Sequence, residues 1–233
     1  MYLCPKYKVL FSTDNITLFE KVMQLYTDDI CKEKANGYYS GVLSKPNISD
    51  ELTTRYNSSF DDIDLSTEID LKILVVTQEG HCYSSKEFSD YDILITVNSF
   101  PFMNMALEAN PKLRVFCVKD FSDCQSFTKM LFMTFASDNI IDIDLYDVNM
   151  AFGMKPTKSR VIKHFSYDDA KGATGFWENA LVYVYTNEKD LFELTTVYNK
   201  YNTLDVSNMM FFACFANKAV QEEDGVFLSY EEP

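Results

Sequence analysis

Three short runs of apolar and β-branched residues constrain the fold more than any other feature of the sequence. They are Leu71–Thr77, Tyr91–Val97 and Leu113–Val118. Such runs, which lack regular polar alternation, are typical of central strands in a sheet that is covered on both faces. Lys8–Thr13 has the same character, and Asp14 or Asn15 can cap a helix directly after it. A strand followed by a helix at this point predicts an α/β fold.

The periodicity changes after Asp120, where apolar residues recur at helical spacing and Ser122 with Gln125 resembles a capping box. We therefore expect a sheet-and-helix region at 1–120, a central helix at 121–136 and a smaller α/β C-terminal subdomain at 137–233. Strands are predicted at Arg160–Phe165, Leu181–Thr186, Met209–Phe215 and Gly225–Tyr230. Helices are predicted at Phe102–Ala109, Tyr167–Ala180 and Asp190–Tyr201. The weak pattern from Gly37 to Asp70 predicts long loops with one helix near Asp50–Tyr56.

The composition narrows the class of partner. A chain of 233 residues with 47% hydrophobic residues is expected to fold, and its formal charge of −14 opposes binding to nucleic acid or to an anionic membrane surface. The apolar runs are too short to cross a bilayer. Six dispersed cysteines without a C-x-x-C pair, and an N-terminus without a signal pattern, predict a cytoplasmic protein.

An acidic loop lies between Asn139 and Asn149, in the stretch N-I-I-D-I-D-L-Y-D-V-N. Its carboxylates belong to Asp142, Asp144 and Asp147, and the apolar residues between them include Ile141, Ile143 and Leu145. The alternation of Ile141, Ile143 and Leu145 predicts a short extended segment that buries one face in a core and leaves Asp142 and Asp144 facing solvent. A loop of this kind can hold a cation or position a water, or it can be a solvated acidic turn.

This stretch resembles the loop of the tubulin/FtsZ superfamily that enters the nucleotide pocket of the next subunit, with the pattern L-I-N-x-D-F-A-D-V. Asp144 and Asp147 fall on the two acidic positions of the pattern, and Asp142 falls on its Asn. Other stretches resemble FtsZ in the same order, over roughly residues 71–230. They are L-V-V-T at 74–77, D-I-L-I-T-V-N at 92–98, the helix from Phe121, and Ala180–Leu194.

The chain departs from that family where the family binds GTP. The family uses a loop of the form G-G-G-T-G-[ST]-G, whose backbone N–H groups cradle phosphates. This chain has seven glycines, none adjacent to another, and the nearest candidate, Gly172–Gly175, follows the acidic loop, where a bent or broken helix is the simpler interpretation. The resemblance therefore implies a protein without cofactor or GTPase activity. Its partner would be an FtsZ/tubulin-like protein or another copy of itself, and it would cap or modulate a filament through the acidic loop.

Two other interpretations stay open. The chain could be a doubly wound ligand-binding protein or enzyme with a site beyond Thr77, Asn98 or Asp120, or an acidic adaptor whose resemblance is accidental. The filament interpretation predicts two subdomains joined by a central helix, whereas the ligand-binding interpretation predicts one sheet with a deep pocket. His81 beside Cys82 offers only weak grounds for a nucleophile or metal site, and Phe176–Trp177 suits either core packing or a partner contact.

Overall fold

The computed structural model describes residues 8–25, 33–35, 38–43, 69–77, 88–97, 103–136, 139–153, 160–173, 177–187, 191–216 and 220–231. The strands are β1 Val9–Thr13, β2 Glu33–Ala35, β3 Tyr38–Leu43, β4 Leu71–Val76, β5 Ile93–Val97, β6 Arg114–Val118, β7 Asn139–Ile141, β8 Arg160–Phe165, β9 Trp177–Thr186, β10 Val206–Phe215 and β11 Glu223–Glu231. The helices within these ranges are α1 Ile16–Met23, α2 Met103–Ala109, α3 Phe121–Ala136, α4 Leu145–Phe152, α5 Tyr167–Gly172 and α6 Leu191–Tyr201.

The strands form one sheet in the order β2-β3-β1-β4-β5-β6-β8-β11-β9-β10-β7. Strands β1, β4, β5 and β6 are parallel, as expected for strands joined by helical crossovers. The later part is mixed, because β11 lies antiparallel between β8 and β9. The two parts meet where Cys117 pairs with Val161 and Val118 pairs with Ile162. The expected α/β class is confirmed.

Helices cover both faces of this sheet. On one face, α1, α3 and α4 pack on a large cluster that includes Phe11, Phe127, Phe152 and Phe227, all with no exposed surface. On the opposite face, α2 packs on the first part of the sheet, and α5 and α6 pack on the later part. Helix α3 contacts β5, β6 and β8 and therefore crosses the junction between the two parts. The continuous sheet fits the ligand-binding interpretation, which predicts one sheet, and the bridging helix fits the filament interpretation, which predicts a central helix between two subdomains. The division into domains therefore stays a prediction.

Most of the predicted elements are present. The four early strands, helix α3 and the strands β8 to β11 lie where the sequence pattern indicates them, with ends shifted by a few residues. Asn15 caps α1, because its side chain accepts a hydrogen bond from the Leu18 N–H at 3.0 Å. In the part of the chain that the structure describes, no helix is long and apolar enough to cross a membrane.

Three local predictions are wrong. Helix α3 is capped by Asp120, which accepts from the Asp123 N–H at 2.9 Å, and not by a box of Ser122 and Gln125. The helix predicted at 167–180 ends at Gly172, and its last residues belong to β9 because they pair with β10 and β11. Strand β3 lies within the stretch predicted as loops, where it pairs with β1. The helix predicted near residues 50–56 lies outside the described residues.

Candidate functional site

The acidic loop is shorter than predicted and leads directly into a helix. Strand β7 ends at Ile141 and α4 begins at Leu145. Asp144 is the N-cap of α4 and accepts from the Asp147 N–H at 2.8 Å, while the Asp147 carboxylate accepts from the Asp144 N–H at 3.3 Å. The two carboxylates therefore form a capping box, which satisfies donors that the first turn of a helix leaves open. The extended conformation predicted through Leu145 is wrong for this reason.

The alternation predicted that Ile141, Ile143 and Leu145 share one buried face, and this is correct for Ile143 and Leu145 and wrong for Ile141. Ile143 is buried in the main cluster, and Leu145 is partly buried against it. Ile141 is also partly buried but packs on the opposite face of the sheet, beside Val184. Asp142, Asp144 and Asp147 are exposed. Because the buried side chain of Ile143 fixes the backbone of the loop, the three carboxylates are held at the surface in a defined position.

Two exposed apolar residues beside these carboxylates were not predicted from the sequence. Tyr146 and Met150 are 64% and 56% exposed, and they lie four residues apart on α4, so they share one face of the helix. The helical spacing of Leu145, Val148 and Phe152 was the signal that could have placed them on an exposed helical face. We call the surface formed by Asp142, Asp144, Asp147, Tyr146 and Met150 the acidic face.

The C-terminal end of α4 is tied to the sheet by polar side chains. The Ala151 carbonyl accepts from the Arg160 guanidinium at 3.0 Å and from the Asn179 amide at 2.9 Å. Both donors are buried. Together with the buried side chains of Val148 and Phe152, these bonds fix the helix against β8 and β9. The acidic face is therefore held rigidly, which lowers the ordering cost of any contact that it makes.

The strand ends at which a doubly wound protein would bind its ligand carry carboxylates. The Asp14 carboxylate accepts from the Thr77 N–H at 2.9 Å and from the Thr77 hydroxyl at 2.8 Å, which ties the end of β1 to the end of β4. Asp120 caps α3, and Asn98 lies outside the described residues. Carboxylates engaged in this way are poor ligands for a phosphate. Within the described ranges, no group of three or more His, Cys, Asp and Glu side chains is placed to hold a metal ion.

A second polar cluster lies where α3 meets β8. Asp123 accepts from the His164 backbone N–H at 2.8 Å, and the His164 Nε2 atom lies 2.9 Å from the Tyr183 hydroxyl. Burial lowers the pKa of His164 and raises the pKa of Tyr183 and of Asp123. Burial disfavours the charged forms of all three side chains, so the cluster stabilises the junction through its hydrogen bonds and packing and is poorly suited to proton transfer with a substrate. The histidine that the sequence analysis weighed for catalysis, His81, lies outside the described residues with Cys82.

We expect the protein to lose stability as the pH falls from about 7.5 to about 5.5, because the pKa of His164 is lower in the folded state than its unfolded value of about 6.5. As the pH falls through the unfolded pKa, the unfolded chain binds a proton at His164 more readily than the folded chain does, and this favours unfolding. Urea unfolding at several pH values measures the slope. In His164→Gln, whose amide can still bond the Tyr183 hydroxyl, the slope over this range should be much smaller; an unchanged slope would contradict the assignment.

No protein-family model and no curated protein matches this chain. Among solved structures, it is similar to a protofilament of TubZ from bacteriophage PhiKZ, at 10% identity and a TM-score of 0.45, with 97% of this chain and 85% of that chain covered. It is also similar to a PhuZ201 filament, at 11% identity, a TM-score of 0.38 and coverage of 77% and 66%. An empty FtsZ dimer from M. jannaschii matches at 12% identity, a TM-score of 0.34 and coverage of 78% and 66%. At these TM-scores the likeness assigns neither a family nor an activity.

Proposed function

We propose that the protein acts without catalysis, by docking the acidic face onto a partner protein. The observation that carries this proposal is the pair Tyr146 and Met150, which stand exposed on one face of α4 beside three exposed carboxylates. Tyrosine and methionine are enriched where proteins bind each other, and charges around such a centre select the partner and speed its approach. The partner should therefore offer an apolar recess bordered by lysine or arginine.

The class of partner rests on the sequence resemblance described above. The acidic loop resembles the loop that a tubulin/FtsZ-like subunit inserts into its neighbour, so we infer that the partner is an FtsZ/tubulin-like subunit. A chain with this loop but without the glycine loop can bind one end of a filament and offers no nucleotide site to the next subunit. It would cap or modulate assembly, and a filament could not extend through it.

The capping box decides how this proposal can be tested. Replacing Asp144 and Asp147 by alanine would remove the charges and also the cap of α4, at a cost of about 0.5–2 kcal/mol. A sharper variant is Asp144→Ser with Asp147→Gln, since a serine N-cap and a glutamine at the third helical position form the same box without charge. The matched control is Asp168→Asn with Asp205→Asn, which removes two exposed carboxylates outside the acidic face.

We expect the wild-type protein, added in substoichiometric amount to a purified FtsZ that assembles with GTP, to lower the plateau of light scattering. The neutral capping-box variant and Tyr146→Ser with Met150→Ser should each lose most of this effect, while the control keeps it. Co-sedimentation of the chain with the filaments measures binding separately. Equal curves with and without the protein, or equal effects of all variants, would refute the proposal.

We also expect that the chain alone neither binds GTP at micromolar concentration nor hydrolyses it. A glycine loop lets backbone N–H groups converge on a triphosphate, and the sequence has no two adjacent glycines. Isothermal titration calorimetry and a phosphate-release assay test the two parts. Heat that saturates at micromolar GTP, or phosphate release above a blank without protein, would show that another element of the chain supplies the site.

A further inference from the structure

A groove on the opposite face of the sheet has no part in the proposed docking. It lies between α5 and the strands β8, β9 and β11, and its volume is about 880 Å³. This volume falls within the range of sites that bind small molecules. The lining residues that decide its chemistry are Lys119, Lys163, Phe165, Asp169, Trp177 and Tyr230.

One wall of the groove is aromatic. The Trp177 ring lies 5.4 Å from the ring of Phe165 and 5.4 Å from the ring of Tyr230, and it meets both nearly edge to face. All three residues are only partly buried, and all three line the groove. Aromatic rings at these distances favour a further flat ring in an offset or edge-to-face position.

Two lysines stand side by side next to this wall. Val118 pairs with Ile162 across β6 and β8, and the Lys119 N–H donates to the Ile162 carbonyl at 2.9 Å, so Lys119 and Lys163 follow at neighbouring positions. Both residues line the groove. Like charges at neighbouring strand positions repel each other, so a site that contacts both lysines favours an anion over a cation. The Lys163 ammonium also lies 4.9 Å from the Phe165 ring centroid, which brings the positive charge to the aromatic wall.

The acidic side chains of the groove limit the charge of what it can hold. Asp169 accepts from the Ser166 hydroxyl at 2.6 Å, and Glu231 lies 3.7 Å from the Arg160 guanidinium. Their negative charges remain near the groove and oppose a polyanion such as a triphosphate. We therefore propose that the groove binds a small flat aromatic ligand that carries one acidic group, either a carboxylate or a monophosphate.

The chain contains one tryptophan, so Trp177 reports on the groove without labelling. Its indole N–H gives a single signal in a ¹H–¹⁵N correlation spectrum, and its emission can be excited selectively. The probes are phenyl phosphate and phenylacetate, which separate the two acidic groups, with inorganic phosphate and acetate as anions without a ring and benzyl alcohol as a ring without charge. We expect a saturable shift of the indole signal with at least one of the two aromatic anions. Inorganic phosphate, acetate and benzyl alcohol should bind at least about tenfold more weakly than that aromatic anion.

Lys119→Gln with Lys163→Gln should weaken binding of the aromatic anion by about tenfold or more. The matched control is Lys171→Gln, an exposed lysine on α5 that does not line the groove. Lys119→Gln alone, at an exposed position, should give a smaller loss and serves if the double variant unfolds at a lower temperature. No saturable shift with either aromatic anion, equal binding of the ring-free anions, or an equal loss in the control would each overturn the proposal.

Discussion

Replacing Arg160 by alanine is expected to lower the free energy of unfolding by about 2–4 kcal/mol. The arginine is 5% exposed, and its guanidinium donates to the Ala151 carbonyl and, at 2.9 Å, to the Glu178 carboxylate. Breaking a fully buried ion pair costs about 3–5 kcal/mol. The loss should be somewhat smaller here, because the Glu178 and Glu231 side chains are 27% and 23% exposed and can turn to water.

Urea unfolding followed by circular dichroism measures this loss, and Arg114→Ala is the matched control. Arg114 begins β6 and is partly exposed, so its truncation should change the free energy of unfolding far less. Because Arg160 binds a carbonyl of α4, hydrogen exchange of the α4 amides should also quicken in Arg160→Ala. Exposed ion pairs typically contribute less than about 1 kcal/mol. A change in stability below that value would show that the contacts of Arg160 with α4 and Glu178 do not stabilise the fold.

Gly225→Ala is expected to destabilise the protein by about 1–3 kcal/mol, as insertion of a methyl group into a packed region typically does. A Cβ atom at this position would lie 2.7 Å from the Tyr183 hydroxyl and 2.9 Å from His164 Nε2, which are the two atoms that bond each other. The Tyr183 ring cannot retreat easily, since it packs on Phe227 and on Tyr185 at 5.5 and 4.9 Å.

The control for this prediction is Gly172→Ala. Among the described residues, and apart from the backbone of α5 and the two chain neighbours, no atom lies within 4 Å of the Cβ that this substitution adds, and alanine restricts the unfolded chain more than glycine does. Its stability should therefore stay equal to that of the wild type or rise by up to about 1 kcal/mol. Thermal unfolding of the two variants side by side makes the comparison. Equal effects at both positions would show that the close approach at Gly225 relaxes freely.

The sequence was a good guide wherever burial alone decides the structure. The runs that became β4, β5 and β6 are predominantly apolar and β-branched, and Asn15 offers its side chain where a helix must begin. The errors lie where two local patterns compete. Asp142 and Asp144 alternate with apolar residues as in a strand, yet Asp144 and Asp147 stand three residues apart as in a capping box, and the capping box forms. Trp177–Ala180 were wrongly predicted to be helical, because local spacing carries no information about the strands β10 and β11 that pair with them.

The two surfaces differ in how far the sequence could reveal them. The carboxylates of the acidic face lie within six residues of one another, so their spacing was visible at once. The exposure of their apolar neighbours Tyr146 and Met150 was recognised only once the structure showed which face of α4 is buried. The aromatic groove is assembled from β8, β9 and β11, and no spacing along the chain predicts that Phe165, Trp177 and Tyr230 meet. Tertiary contacts of this kind follow from the order of strands in the sheet.

The position of β11 has a consequence for how the chain is made. This strand lies between β8 and β9 and pairs with both, yet it follows both in the sequence. During synthesis, the edges of β8 and β9 that pair with β11 therefore stay unpaired until the ribosome has produced β11. Pairing over such sequence separations is slow, and open edges are where nascent chains associate wrongly. We expect the later part of the sheet to form in one late step, when β11 enters the gap and completes the pairing on both sides.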